Sequence, residues 1–188
     1  MNVPLQTTLA DAVQLLEAQG IPYALIGGLA ASFRGQARVT ADVDMVLSAG
    51  VDRALQLAAE LTNTKFKPLF RGVEEVVQQA FILPLEHRTT NVKLDLSLGL
   101  SGFEQQAVAR AQRVDLAGTK VAVVTAEDLL IMKVMAGRPQ DDQDVRGLVL
   151  AHGDRLDWDY CRKVAAELGE ALGQDLVGRV AAAQAGDL

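Results

Sequence analysis

The chain has 188 residues, 49% of them hydrophobic, and a formal net charge of −6. This size allows one compact unit with a proper core, and no apolar run approaches the roughly 18 to 20 residues that a membrane-spanning helix requires. The first residues lack both the basic start and the apolar run of a secretory signal, so a cytoplasmic protein that does not engage a membrane is predicted.

The first part of the chain predicts a helix, a strand, a turn and a second helix. Apolar residues recur at helical spacing over residues 9–19, and Thr8 is positioned to cap that helix. A short buried strand over residues 23–26 runs directly into Gly27 and Gly28, after which small residues indicate a helix. The expected order is therefore strand, glycine turn, helix.

The middle of the chain predicts a second strand, a helix and then a meander of strands. Polar and apolar residues alternate from position 42 to 48, as they do on a half-buried strand, and residues 51–61 have a helical pattern. Between positions 65 and 100 the clearest strands are 80–85 and 91–98. Pro84 lies inside the first of these, which favours an edge strand or a bulge.

The last third predicts two short strands and then only helices. The strands lie within residues 113–124 on either side of Gly118, and Thr125 is positioned to cap the helix that follows them. Helices are expected at 105–111, 125–136, 141–151, 158–172 and 176–183. The fold class is therefore α+β, a mixed β-sheet flanked by helices, with residues 1–124 as the core and residues 125–188 as a helical C-terminal region packed on it.

Cysteine and histidine are too sparse for several classes of site. Cys161 is the only cysteine, which excludes an internal disulfide and a cysteine-rich zinc site and favours a thiol packed between helices. His87 and His152 are isolated in the sequence, so neither a histidine zinc site nor a Ser-His-Asp arrangement is supported. The chemistry is expected to come from carboxylates.

Charge leaves the class of partner open. Residues 125–188 carry 7 basic and 12 acidic groups, so the acidity is concentrated in the C-terminal third. A basic footprint over the whole surface, typical of nucleic-acid-binding proteins, is therefore missing. A local strip could still contact phosphates, and its members are Arg34, Arg38, Lys65, Lys67 and Arg71.

Three aspartates on two predicted strands form the candidate centre. The two-residue period of a strand places Asp42 and Asp44 on one face, and the same period makes Asp95 project away from the core on its own strand. If the strands are neighbours, three carboxylates meet. Such a cluster needs a compensating cation, and oxygen ligands of this kind select Mg²⁺ or Mn²⁺.

The glycine turn is the second part of the candidate centre. Gly27 and Gly28 would let the backbone approach a ligand closely and leave unpaired amide groups at the start of the next helix. A turn of this kind binds phosphate. Together with carboxylate-held metal ions, it predicts a site for phosphoryl or nucleotidyl transfer.

The ordered combination of these features resembles the signature of the DNA polymerase β-like nucleotidyltransferases. In that superfamily a glycine pair after a strand precedes an Asp-x-Asp motif at about the distance seen here. Within it, the Arg-x-Thr-x-Asp-Val-Asp form at residues 38–44, with Lys133 and the run at residues 138–144, is similar to the AbiEii and MenT group of toxin nucleotidyltransferases and their uncharacterised relatives. The similarity extends over residues 20–150, and it implies that residues 1–124 are a nucleotidyltransferase catalytic core.

The resemblance implies roles for individual residues. Metal coordination is implied for Asp42, Asp44 and Asp95; nucleotide or phosphate binding for Gly27, Gly28, Arg38 and Thr40; and assistance in nucleotide binding or catalysis for Lys133, Asp141 and Asp144. One departure is Gln140, which stands where the group usually has a lysine before the later Asp-x-x-Asp. A glutamine can donate hydrogen bonds but supplies no charge to a phosphate.

Structural interpretations of the same residues remain open. Lys133 lies on an otherwise apolar helix and could extend its ammonium group from the core to solvent. Asp141 or Asp142 could be an acid at the start of the next helix. Arg38 could contact phosphate or pair with Asp42.

The resemblance implies a cytoplasmic enzyme that binds a nucleoside triphosphate such as ATP with magnesium and moves the nucleoside monophosphate to a hydroxyl, releasing pyrophosphate. In the toxin-like version the acceptor is a tRNA or a protein, and an antitoxin partner is expected. One alternative is a small-molecule adenylyltransferase of the aminoglycoside type. Another is a catalytically silent nucleotide-binding or interaction module of a toxin-antitoxin pair.

Overall fold

The computed structural model describes residues 1–188 and contains nine α-helices and seven strands. The helices are α1 (Val3–Ala18), α2 (Gly27–Arg34), α3 (Val51–Ala59), α4 (Val73–Ala80), α5 (Gly102–Arg110), α6 (Ala126–Ala136), α7 (Pro139–His152), α8 (Trp158–Leu172) and α9 (Leu176–Ala185). The strands are β1 (Tyr23–Leu25), β2 (Asp42–Leu47), β3 (Phe66–Pro68), β4 (Ile82–His87), β5 (Lys93–Leu98), β6 (Gln112–Leu116) and β7 (Thr119–Val123). The predicted α+β class is confirmed. None of the helices combines the length and the apolar character needed to span a bilayer.

The chain forms two compact units. The first contains residues 1–29 and 39–124, including the whole sheet, and the second contains residues 30–38 and 125–188, which are helical apart from their connections. The assignment of catalysis to residues 1–124 stays a prediction.

All seven strands belong to one mixed sheet in the order β3-β4-β5-β2-β1-β7-β6. β2 is central: it runs antiparallel to β1 on one side and parallel to β5 on the other. Val43 and Met45 of β2 and Leu94 and Leu96 of β5 are fully buried and form the core face. Because side chains alternate along a strand, the acidic residues of β2 and β5 lie on the opposite face.

The first helix begins earlier than predicted. Asn2, and not Thr8, is its N-cap, because the Leu5 N–H donates a hydrogen bond to the Asn2 Oδ1 atom at 3.0 Å. Pro4 fits the first turn, where its missing N–H has no helical partner. Thr8 is buried inside the helix, and its hydroxyl donates to the Pro4 carbonyl oxygen at 2.9 Å.

The meander predicted between residues 65 and 100 is wrong in part, because α4 interrupts it. Val73 and Val77, four residues apart, are buried on one face of that helix. Gly72 at φ 79° leads into the helix and Phe81 at φ 57° ends it, so β4 starts at Ile82 and not at residue 80. The helical spacing of the two valines was the signal for this element.

The predicted edge position of Pro84 is also wrong. β4 lies between β3 and β5, and Pro84 is paired with Asp95. The Pro84 carbonyl oxygen accepts a hydrogen bond from the Leu69 N–H at 3.1 Å, immediately past the end of β3. The backbone nitrogen of Pro84 faces the same side, towards β3. Because β3 has already ended there, the absence of an N–H on Pro84 removes no hydrogen bond between strands.

The second unit is a packed group of helices. Thr125 caps α6 as expected, since the Asp128 N–H donates to the Thr125 Oγ1 atom at 3.1 Å. Asp128 is fully buried, and the Tyr160 hydroxyl on α8 donates to it at 2.6 Å. Polar groups that would be costly inside the core are thus satisfied.

Candidate active site

The glycine turn is closed tightly around Asp44. Gly27 follows β1 with a φ of 64°, and a Cβ atom on it would lie 1.9 Å from the Asp44 Oδ2 atom. The Ile26 N–H donates to the Asp44 carbonyl oxygen at 2.9 Å. Only glycine fits this position, because any side chain would displace the carboxylate. Gly28 is the second residue of α2 and is buried, and the start of the helix at Gly27 lies beside Asp44.

Asp42 and Asp44 lie on the same face of β2, as their spacing predicts. Both are half-buried and alternate with fully buried apolar neighbours. Asp42 accepts a hydrogen bond from the Thr40 hydroxyl at 2.9 Å, which orients its carboxylate. Thr40 therefore contacts a candidate metal ligand.

The parallel pairing of β2 with β5 brings the third aspartate to the same place. Asp44 is directly opposite Asp95, and Asp42 is directly opposite Lys93. Burial raises the pKa of Asp95 above its ordinary value, and the charge of Asp42 raises it further, while Lys93 lowers it. The influence of Asp42 on Asp95 is that of carboxylates close enough to repel one another.

These carboxylates fit a divalent cation by their chemistry, and their present arrangement is incomplete. Acidic oxygen donors on neighbouring strands are the ligand type that Mg²⁺ and Mn²⁺ prefer. No group of three or more histidine, cysteine or acidic side chains stands in an arrangement that could hold a metal ion as it is.

The other predicted site residues form a buried ion-pair network in the second unit. The Lys133 Nζ atom lies 2.9 Å from Asp141 Oδ1 and 2.8 Å from Asp144 Oδ2. Arg38 approaches Asp144 with its Nε atom at 2.7 Å, and Arg138 approaches Asp141 with its Nε atom at 2.6 Å. Two carboxylates are thus held by three cations.

This network decides between several structural interpretations. The Lys133 side chain is only 7% exposed and pairs inside the unit, so it does not extend to solvent. Asp141 lies in the first turn of α7, where its carboxylate also accepts from the Arg138 N–H at 3.3 Å. Arg38 pairs with Asp144.

The electrostatics of the network favour the ionised form of Asp141. Burial alone would raise the pKa of Asp141, but hydrogen bonds from Arg138 and Lys133, together with their charges, outweigh it and lower that pKa. Charge-assisted hydrogen bonds of this kind stabilise the anionic form. Arg138 has no predicted role, and its spacing of three residues from Asp141 was the available signal.

The surroundings of four other residues considered in the sequence are also defined. The Lys67 Nζ atom pairs with Glu86 Oε1 at 2.7 Å, and burial lowers the pKa of Arg34. His87 is buried and its Nε2 atom lies 2.8 Å from Asp11 Oδ2, a bond between α1 and β4. Cys161 is fully buried and burial raises its pKa to about 12, so it is an inert packed thiol, as interpreted from the sequence.

Comparison with known proteins shows the family and the fold. Residues 5–176 match the model of a family described as "Nucleotidyltransferase of unknown function (DUF6036)". No curated protein matches the chain. One solved structure, an antigenic nucleotidyltransferase-like protein from Paracoccidioides brasiliensis, is 19% identical with a TM-score of 0.54, over 93% of this chain and 91% of that one.

A second similar structure is that of ANT(2")-Ia in complex with adenylyl-2"-tobramycin. It is 16% identical with a TM-score of 0.53, and the match covers 95% of this chain and 96% of that chain. A solution structure of the antibiotic-resistance factor ANT(2'')-Ia is 14% identical with a TM-score of 0.53, over 96% and 89%. At these identities the likeness shows the fold, and the predicted nucleotidyltransferase fold is confirmed.

Proposed function

Since the chain belongs to the DUF6036 family of nucleotidyltransferases, we propose that it transfers a nucleoside monophosphate from a nucleoside triphosphate to a hydroxyl group and releases pyrophosphate. The observation that carries this proposal is the register of β2 with β5, which sets Asp44 opposite Asp95 beside the Gly27 turn. The catalytic centre belongs to the unit that contains the sheet.

The triphosphate binds at the glycine turn in this proposal. Gly27 and Gly28 begin α2, whose first amide groups have no helical acceptor and carry the positive end of the helix dipole. The absence of a side chain at Gly27 brings the phosphates close to Asp44. Phosphate binding and carboxylate chemistry are thereby placed side by side.

Asp42, Asp44 and Asp95 are the proposed ligands of Mg²⁺ or Mn²⁺. When bound, the cation supplies positive charge that offsets the triphosphate and polarises the phosphorus that is attacked. Asp42 is oriented for this by the Thr40 hydroxyl. Asp95, beside the pair, takes up the proton of the attacking hydroxyl as the new oxygen–phosphorus bond forms and the bond to the leaving pyrophosphate breaks.

The acidic face argues against the catalytically silent alternative. Three carboxylates on adjacent strands destabilise a fold that never neutralises them, and a module without turnover has no reason to keep all three. Asp42, Asp44 and Asp95 are all present, are each half-buried and share one face of the sheet.

Lys133, Asp141 and Asp144 have a different role from the one that the toxin resemblance implies. Their charges are already paired with one another, with Arg38 and with Arg138. We assign this network to the stability of the helical unit. A toxin-like enzyme with a tRNA or protein acceptor and an antitoxin partner stays our leading hypothesis for the acceptor.

A small-molecule acceptor is the second candidate. Residues 125–188 carry 12 acidic and 7 basic groups, a balance that suits a cationic acceptor of the aminoglycoside type better than RNA. The two candidates differ in the sign of the acceptor's charge, which makes them separable by experiment.

The test is transfer of label from each of four α-labelled triphosphates, with Mg²⁺ or Mn²⁺, to total RNA, to protein and to an aminoglycoside. An Asp42→Asn, Asp44→Asn double variant is the control. We expect label on one acceptor class that disappears in the double variant. Metal-independent labelling, or labelling that survives in the double variant, would overturn the proposal.

A further inference from the structure

A row of alternating charges crosses the sheet on the face that carries the candidate carboxylates. Cross-strand pairing places Asp42 of β2 opposite Lys93 of β5, Lys93 opposite Glu86 of β4, and Glu86 opposite Lys67 of β3. Residues directly opposite one another in a sheet lie on the same face, so the four side chains form one line. The line starts at the candidate metal ligands.

Within this row, Lys93 is the cation that its neighbours leave available. Glu86 pairs with Lys67, whose Nζ atom lies 2.7 Å from Glu86 Oε1, and Asp42 accepts the Thr40 hydroxyl. Lys93 is exposed and forms an ion pair with neither acid. Lys93 is nevertheless directly opposite Asp42 and two residues before Asp95 on the same strand, so it shares their face of the sheet.

Lys93 lies on the side of the aspartates away from the glycine turn. β1, which leads into Gly27, pairs with one edge of β2, and β5, which carries Lys93, pairs with the other edge. A triphosphate held at the turn therefore occupies the β1 side. If the attacking hydroxyl lies in line with the leaving pyrophosphate, its acceptor would approach from the β5 side.

We propose that Lys93 is a specificity-determining residue that contacts a phosphate group of the acceptor next to its attacking hydroxyl. The inference rests on the proposed function and deepens it, because it names the acceptor as phosphate-bearing. A lysine is a compact, mobile point charge suited to one phosphate. A cationic acceptor would meet repulsion from the same ammonium group, so Lys93 disfavours the aminoglycoside type.

The phosphate could belong to an RNA 3′ end or to a phosphorylated small molecule. Two arms distinguish these sources: a tRNA pool, and glucose 6-phosphate compared with glucose. The variants are Lys93→Gln, Lys93→Arg as a charge-preserving rescue, and Lys120→Gln, which removes another exposed strand lysine elsewhere in the sheet.

Direct binding of a 5′-fluorescent tRNA pool, measured against salt, tests the RNA arm without requiring turnover. Each phosphate contact releases counterions, so it contributes about −0.7 to −0.9 to the slope of the logarithm of the binding constant against the logarithm of the salt concentration. We expect Lys93→Gln to weaken binding several-fold and to reduce the slope by about one such contact. Lys93→Arg and Lys120→Gln should retain the wild-type slope.

Steady-state transfer tests the same residue in the reaction. Lys93→Gln should raise KM for the acceptor and leave KM for the triphosphate nearly unchanged. In the small-molecule arm, Lys93→Gln should abolish a preference for glucose 6-phosphate over glucose, and that result with no RNA effect would identify the small-molecule source.

Several outcomes overturn the inference. Unchanged salt slopes together with an unchanged sugar preference would remove Lys93 from acceptor binding even if transfer to another acceptor occurs. If Lys93→Gln raises KM for the triphosphate only, Lys93 contacts the triphosphate and not the acceptor. Failure of the proposed function would give a different result, because the wild-type protein would then transfer no nucleotide to any acceptor. The salt dependence of tRNA binding would still show whether Lys93 contacts a phosphate.

Discussion

Gly27 and Asp44 occupy space that only one side chain can fill: a Cβ atom on Gly27 would lie 1.9 Å from the Asp44 Oδ2 atom. The strand β1 ends where this contact is made, and α2 begins there. The turn and the carboxylate are therefore one structural unit, and a change in the first must displace the second.

Gly27→Ala is expected to abolish nucleotide transfer, because the added methyl group displaces the Asp44 carboxylate. Gly20→Ala is the matched control: Gly20 has a similar φ of 61°, against 64° for Gly27, but open space around it. The left-handed backbone costs each variant roughly 1–2 kcal/mol of stability. Urea unfolding and a transfer assay separate the two effects, and equal activity losses would contradict the steric argument.

Asp42→Asn and Asp44→Asn are each expected to remove stabilisation by Mg²⁺ and triphosphate. A ligand present at 100 times its Kd adds about 2.7 kcal/mol to the stability of the protein that binds it. In EDTA, Asp42→Asn should be at least as stable as the wild type, because its repulsion of Asp95 is removed. Thermal unfolding with and without the ligands measures this, and Asp187→Asn, an exposed charge change, should behave like the wild type. A marked loss of stability in EDTA would argue against the repulsion.

Asp95→Asn and Asp141→Asn are expected to have opposite effects on stability in metal-free buffer at neutral pH. The pKa of Asp95 is raised in the folded protein, so its favourable contribution exists below the ordinary value of 3.8 and is lost as pH rises through the folded pKa. Asp95→Asn should therefore be stabilising at neutral pH. The advantage should shrink in acid.

The pKa of Asp141 is lowered, so its contribution exists above 3.8 and is lost as pH falls through the folded pKa. Asp141→Asn should destabilise at neutral pH and less so in acid. Urea unfolding at neutral and acid pH measures the stability of both variants. If the two substitutions change the free energy of unfolding in the same direction with pH, the opposite pKa shifts of Asp95 and Asp141 are refuted.

Lys133→Met is expected to cost on the order of 3–5 kcal/mol, because it leaves Asp141 and Asp144 buried with one cation fewer each. Lys67→Met removes an ion pair whose lysine side chain is 44% exposed, and should cost less than about 1 kcal/mol. Urea denaturation of the two variants gives the comparison. A small loss for Lys133→Met accompanied by loss of triphosphate binding would return Lys133 to a nucleotide-binding role.

Local pattern was sufficient for most elements. Alternation predicts β2 and β5 because each has one fully buried face, and the glycine turn follows from its position directly after the apolar β1. The pattern failed at α4, a two-turn helix with only Val73 and Val77 buried, where the helical signal is too short to separate from a strand. The edge position predicted from Pro84 was wrong because a proline is compatible with an inner strand where the neighbouring strand is short, and the length of that neighbour is not visible at Pro84 itself.

The sequence by itself determined that Asp42 and Asp44 share a face and that Gly27 precedes them, since both follow from strand periodicity and chain order. It could not determine the register of β2 with β5, because a slip by two residues preserves the same alternation. Only the tertiary structure sets Asp95 opposite Asp44, Lys93 opposite Asp42, and Arg38 against Asp144, 106 positions away. Such contacts depend on how elements pack, and packing is not encoded in any local stretch of the chain.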